Sequence, residues 1–142
     1  MKTSNPGKLA KNIRIAAQKI RAADRILISS HVHPDGDTMG SLLALGLGLL
    51  SLDKHVVMVS PDGIPPRYRF LPGTELVLDH WEGKPDLGIA VDCGTLRQLG
   101  KFGKTFENIP DTIQIDHNDF ADSFGKLLVA DHSAAAVGEI IF

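Results

Sequence analysis

Between Ser30 and Ser41 the chain reads "SHVHPDGDTMGS", so that two histidines, two aspartates, a proline and two glycines crowd into one turn. His31, Asp35 and Asp37 supply one imidazole nitrogen and two hard carboxylate oxygens. Two later stretches carry matching groups: "VDCG" holds Asp92, a carboxylate able to bridge, and "IDHND" holds His117, a second nitrogen. Carboxylates gathered in a partly buried site repel one another by energies on the order of several kcal/mol, and cations relieve that repulsion. Mixed imidazole and carboxylate donors without sulfur suit Mn2+, followed by Mg2+, Co2+ or Fe2+, rather than a structural zinc site. Gly36 is expected to let the backbone turn tightly between the two aspartates, and Pro34 to restrict the loop before them. Taken singly, an aspartate at a strand end is a helix cap or turn residue, and Asp37 ahead of a helix fits that plainer role. The His-x-x-x-Asp-x-Asp spacing, joined by other strand ends, favours metal binding.

These groups act together only if the fold gathers them. "RILIS" (25–29) is a short continuous apolar run, "TMGSLLALGLGLLSL" (38–52) is long enough for a buried helix, and "KHVVMVS" (54–60) follows as a second strand. They predict a β-α-β unit with a right-handed parallel crossover. Further apolar runs, "ELVLD" (75–79), "LGIAVDC" (87–93), "TIQIDH" (112–117) and "KLLVAD" (126–131), predict more strands, with one weak helical stretch at 95–108 between them. Residues 61–73, dense in proline and glycine, read as a loop with one short helical turn. Over 6–23, Leu9, Ile13, Ala16, Ala17 and Ile20 recur at spacings of three and four, which predicts an amphipathic helix with lysine and arginine opposite. Gly40 is expected to permit close packing of helix on sheet. Gly46 and Gly48 lack the spacing of a dinucleotide fingerprint and read as packing positions too. The expected class is α/β, a predominantly parallel sheet flanked by helices. In such a sheet the acidic and imidazole-bearing strand ends share one edge, at the crevice where these folds bind ligands.

Composition narrows the partners. The 142 residues are 43% hydrophobic and 23% charged, as in an ordinary globular domain. No stretch approaches the roughly 20 apolar residues needed to cross a bilayer, and the first 23 residues carry charges throughout, unlike a secretory signal. A cytoplasmic protein without membrane contact is the expectation. Net charge is -2, and the basic residues are dispersed apart from Lys8 to Arg25, which argues against long duplex nucleic acid and leaves short RNA or mononucleotides. The single cysteine, Cys93, cannot form an internal disulfide, and without an activating base it reads as a packed thiol. His55, His80 and His132 read as surface or satisfied residues.

In order, "HVHPDGDTMGS", "AVDCG", "QIDHND" with "FG" seven residues beyond its histidine, and "VADHSAAAVGEII" resemble the successive motifs of the DHH phosphoesterase family, from about residue 10 onward. The match is closest to bacterial members that degrade very short RNAs and dephosphorylate 3'-phosphoadenosine 5'-phosphate. The resemblance implies two Mn2+ ions: His31 and Asp35 would hold one, Asp37 and His117 the other, and Asp92 would bridge both. His33 falls at a variable position and is a loop residue. Asp92, Asp116 and Asn118 would form the catalytic group, with Asp116 orienting the histidine or its loop. Asn118 stands where the family has a second histidine; asparagine can donate a hydrogen bond to a phosphate there but carries no charge. The family draws a further aspartate from a later strand and uses a C-terminal substrate-binding domain; neither occurs before Phe142, and Asp131 is the one candidate to stand in. The last stretch, "SAAAVGEIIF" (133–142), reads as a helix capped by Ser133 that stops on apolar residues. Residues 1–142 are therefore expected to be the N-terminal domain of a longer protein, inactive alone, with a homodimer as an assembly it allows. Two rivals remain. A haloacid-dehalogenase-like phosphatase, suggested by "DGDT", would need its aspartate at the strand tip, and Asp35 lies beyond it. A degenerate nucleotide-binding or regulatory module without turnover is favoured by Asn118.

Overall fold

In the computed structural model, which describes residues 5–118 and 122–142, helices and strands are interspersed along the chain. The elements are α1 (Pro6–Ala22), β1 (Arg25–Ser29), α2 (Gly36–Ser51), β2 (His55–Val59), β3 (Val77–Leu78), β4 (Leu87–Val91), α3 (Gly103–Glu107), β5 (Asp111–Asp116), β6 (Leu127–Ala130) and α4 (Val137–Ile141). The sheet has six strands in the order β3-β2-β1-β4-β5-β6, and every pairing is parallel. The expected α/β class holds, with a wholly parallel sheet. From β1 the chain builds outward to β3, then returns to lay β4 on the other side of β1. The sheet therefore has a switch point between β1 and β4, where crevices form outside the strand ends.

Side-chain alternation sends two apolar sets to opposite faces. Ile26, Ile28, Ile89, Val91, Ile113 and Ile115 join Ala16, Met39, Leu42 and Val137 on the face covered by α1, α2 and α4. Leu27, Val59 and Ala90 join Leu99, Phe102, Phe106 and Ile109 on the other face. Burial of these side chains is the main drive for the three-layer arrangement, at about 25 cal/mol per Å² of apolar surface. α1 starts where Asn5 Oδ1 accepts from the Gly7 and Lys8 backbone N–H groups at 3.1 and 3.3 Å. It covers the β6 edge, where Asn12 Nδ2 donates to the Leu128 carbonyl at 2.8 Å. Of its expected apolar face, Ala16 is buried and Leu9 and Ile20 pack on the core, whereas Ile13 stays 40% exposed.

Several expected boundaries shift, each for a local reason. The second helix begins at Gly36 rather than 38, because Asp35 accepts from the Thr38 N–H at 3.0 Å and caps it. Only Val77 and Leu78 of "ELVLD" are strand; Thr74–Leu76 form a 3-10 turn that starts from Gly73 in a left-handed conformation, φ 87°. The 95–108 stretch forms a 3-10 segment at Leu96–Phe102, kinked at Gly100, φ 55°, and then α3. A Cβ at Gly100 would lie 2.9 Å from Val32 Cγ1. Ser133 does not cap the last helix: its hydroxyl donates to Asp131 Oδ1 at 2.6 Å, and α4 begins after Ala136. The short turn expected in 61–73 is present at Pro66–Tyr68. Among the described residues no helix is long and apolar enough to cross a membrane.

Candidate metal centre

Strand register sets the level of the site. Ser29, Ala90 and Gln114 lie side by side across β1, β4 and β5. His31, Asp92 and Asp116 each follow two residues later, so all reach the same edge. Asp92 takes a left-handed backbone, φ 56°, rare for a residue with a side chain. Its N–H donates to the Ile115 carbonyl at 2.9 Å, which fixes that turn against β5.

All five expected ligands come together, in two sets that share Asp92. One is His31, Asp35 and Asp92; the other is Asp37, Asp92 and His117; within each, the donor atoms lie within 4.8 Å of one another. The two carboxylate oxygens of Asp92 divide between them. Oδ2 faces His31 Nε2 at 3.5 Å, and Oδ1 faces His117 Nε2 at 3.5 Å, while Asp37 Oδ2 lies 3.3 Å from the same nitrogen. Each imidazole is held from behind: His117 Nδ1 bonds the Ala134 carbonyl at 3.3 Å, and His31 Nδ1 bonds the Val32 carbonyl. That arrangement favours hydrogen on Nδ1 and turns Nε2 into the site, as metal-binding histidines require. Asp37 is steadied by the Val137 N–H at 3.1 Å and the Ser41 hydroxyl at 3.1 Å. It is thus no cap of its own helix.

Electrostatics mark the centre as short of positive charge. Among the described residues no lysine or arginine pairs with Asp35, Asp37 or Asp92; the ionic partners of Asp37 and Asp92 are the two histidines. The hydrogen bond to Asp92 raises the His31 pKa, against the opposing effect of burial. Burial pushes Asp35 up, but the Thr38 N–H and hydroxyl together with His31 outweigh it and leave its carboxyl below the ordinary range. Three carboxylates, two Nε2 atoms and no sulfur fit hard divalent cations.

Around this core, Asp116 is fully buried, and burial raises its pKa. Its Oδ1 accepts from the His117 N–H at 2.8 Å and the Asn118 side-chain amide at 2.9 Å. Its Oδ2 has no partner among the described residues. Asn118 is exposed, with one amide hydrogen committed to Asp116; Asp119, which ends "QIDHND", lies outside the described residues. His33 is a loop residue with its side chain 94% exposed, and Asp62 Oδ2 accepts from its backbone N–H at 2.7 Å. Asp131 belongs to neither ligand set and accepts from Ser133. Cys93 is a packed thiol whose pKa burial pushes up to about 12. His55 and His80 are exposed.

Sequence reasoning missed two polar residues and misassigned three glycines. Thr38 is fully buried, with its hydroxyl between His31, Asp35 and Asp92. Gln114 is fully buried too; it donates to the Cys93 and Asp122 carbonyls at 3.0 and 3.1 Å and accepts from the Phe124 and Gly125 N–H groups at 3.2 and 3.3 Å. It ties the Asp92 turn to the "FG" stretch, where a Cβ on Gly125 would sit 2.8 Å from Gln114 Cβ. A polar residue inside an apolar strand was the available signal. Gly36 has no positive φ, and a Cβ there would only touch Tyr68 at 3.7 Å; it is simply the first helical residue. Gly40 and Gly48 face open space, so neither packs; Gly46 does, since a Cβ there would lie 2.1 Å from Met58 Sδ.

A family model described as "DHH family, N-terminal domain" matches residues 25–142. The chain belongs to the DHH family. It is 34% identical, over 131 residues, to the bifunctional oligoribonuclease and PAP phosphatase NrnA of Thermus thermophilus, covering 91% of this chain and 39% of that protein. Its fold matches the crystal structure of an exopolyphosphatase-related protein from Bacteroides fragilis with a TM-score of 0.87 and 26% identity, over 94% of this chain and 42% of that one. The DHH chain thus spans about two fifths of the length of these relatives.

Proposed function

We propose that this domain carries the metal centre of a two-cation phosphoesterase that hydrolyses short oligoribonucleotides, 3'-phosphoadenosine 5'-phosphate, or both. The observation that carries the reading is Asp92, whose two oxygens face separate imidazole-carboxylate sets. In the proposed assignment His31 and Asp35 would hold one ion and Asp37 and His117 the other, with Asp92 common to both, and Mn2+ would be the preferred metal with Mg2+ or Co2+ as substitutes. Such a pair supplies charge neutralisation at the phosphoryl oxygens and activation of water near neutral pH. The chain's own contribution is placement: Nδ1 contacts aim the imidazoles, and Asp116 holds the loop that carries His117 and Asn118. Asn118 would donate its second amide hydrogen to the phosphate. The substrate class rests on the activities named for the Thermus thermophilus relative. The substrate-gripping domain and a further aspartate are proposed to lie outside these 142 residues.

The complete protein with Mn2+, assayed on a dinucleotide and on 3'-phosphoadenosine 5'-phosphate, is expected to release a nucleoside monophosphate or AMP plus phosphate. Asp92→Ala should lower both rates by roughly 10²–10³-fold or more, the scale of losing one stabiliser of transition-state charge. Equal activity in the two proteins removes the proposal. The second reading, a module that binds nucleotide without turnover, is favoured by the uncharged Asn118 with its amide turned toward Asp116. Nucleotide binding without hydrolysis at saturating Mn2+ would select it.

A further inference from the structure

We propose that Thr38 is a positioning residue of this centre, whose hydroxyl holds His31, Asp35 and Asp92 as one set and thereby governs the affinity for the cation bound there. The inference rests on the two-cation reading above. Thr38 Oγ1 lies 2.8 Å from His31 Nε2, 2.9 Å from Asp35 Oδ1 and 2.8 Å from Asp92 Oδ2. It is therefore in hydrogen-bond range of every member of the first ligand set. A helix-capping role accounts for Asp35 alone, whose Oδ1 also accepts from the Thr38 N–H at 3.0 Å. It does not account for Asp92, which comes from another strand end 54 residues later.

A hydroxyl has one hydrogen, and with the His31 hydrogen on Nδ1 it can donate to only one of Nε2, Asp35 and Asp92 at a time. The three acceptors, from the β1 turn, the start of α2 and the β4 turn, nonetheless converge on this one buried atom. The neighbouring turn of the same helix supports the assignment. Ser41, three residues on and on the same face, places its hydroxyl 3.1 Å from Asp37 Oδ1 in the other ligand set. Each set thus has a hydroxyl of its own from α2, and loss of either should act on its own cation first.

The test uses the complete protein and Mn2+ itself, read by calorimetric titration and by electron paramagnetic resonance. Wild type is expected to bind two ions and show an exchange-coupled spectrum at two equivalents. Thr38→Val should keep one ion at near wild-type affinity and bind the other about 10–100-fold more weakly, as for loss of a group that orients ligands. Its coupled spectrum should appear only at higher Mn2+. Thr38→Ser should restore wild-type titration, and Ser41→Ala should weaken the other ion. Thr38→Ala repeats the measurement if the valine protein does not fold. Thr38→Val, or its alanine substitute, with two wild-type affinities would overturn the role of Thr38 alone, as would a serine variant as impaired as valine. A wild-type protein that never shows the coupled spectrum would overturn the two-cation reading itself.

Discussion

In the proposed centre His31 Nε2 would take either a proton or a cation, and the two would compete. Without metal, the hydrogen bond to Asp92 raises the His31 pKa above its ordinary value, despite burial. A raised folded-state pKa means that this group contributes stability fully below its unfolded value, about 6.5, and loses it as pH rises through the folded value. Cation binding runs the opposite way, since coordination needs the unprotonated nitrogen. Between the two pKa values the metal-free fold should lose the His31 contribution as pH increases, while Mn2+ affinity rises. Proton NMR of the imidazole in metal-free protein should show a midpoint above about 6.5, lowered in Asp92→Asn. A midpoint at or below the ordinary value would contradict the observed pairing. At this scale the histidines and aspartates were legible because their types and spacing are unusual. Thr38 was not, because a threonine three residues after a helix-capping aspartate reads as ordinary capping; only the approach of β4 gives it further partners.

α2 shows what a helix demands of its glycines. Gly46 faces β2, and a Cβ there would meet Met58 Sδ at 2.1 Å and Cγ at 2.6 Å, whereas Gly48 faces open space. Gly46→Ala should destabilise by about 1–3 kcal/mol, as for an overpacked core, with Met58 shifting to relieve part of the strain. Gly48→Ala should stabilise by about 0.5–1 kcal/mol, through helix propensity and a less mobile unfolded chain. Urea unfolding of the two variants should move the midpoint in opposite directions, and a shift of the same sign would refute the packing account. The sequence shows both residues only as glycines in an apolar helix; which one faces the sheet depends on how α2 lies on it. For the same reason the four central strands, marked by continuous apolar runs, were read to within a residue or two. The ends of α2, β3 and α4 moved, because there a cap, a left-handed glycine and a side-chain contact decide the boundary.

Across the whole molecule, the ligand sets join segments that contact one another only in the folded chain: the β1 turn and α2, the β4 turn and the end of β5. Strand order was not readable from periodicity, yet it is what makes β1 and β4 neighbours and opens the crevice at the switch point. If Mn2+ binds the folded state alone, each site filled at about 100 times its Kd adds about 2.7 kcal/mol of stability. One such increment should raise the melting temperature by roughly 5–10 °C in a protein of this size or somewhat larger. Because Asp92 serves both sets, Asp92→Ala should lose nearly all of the Mn2+-dependent rise, whereas His31→Ala should keep the part due to Asp37, Asp92 and His117. Thermal melts with Mn2+ and with chelator measure this directly. If the Asp92 and His31 variants keep equal fractions of the wild-type shift, the carboxylate is not shared between two ions, and the sets act as independent sites.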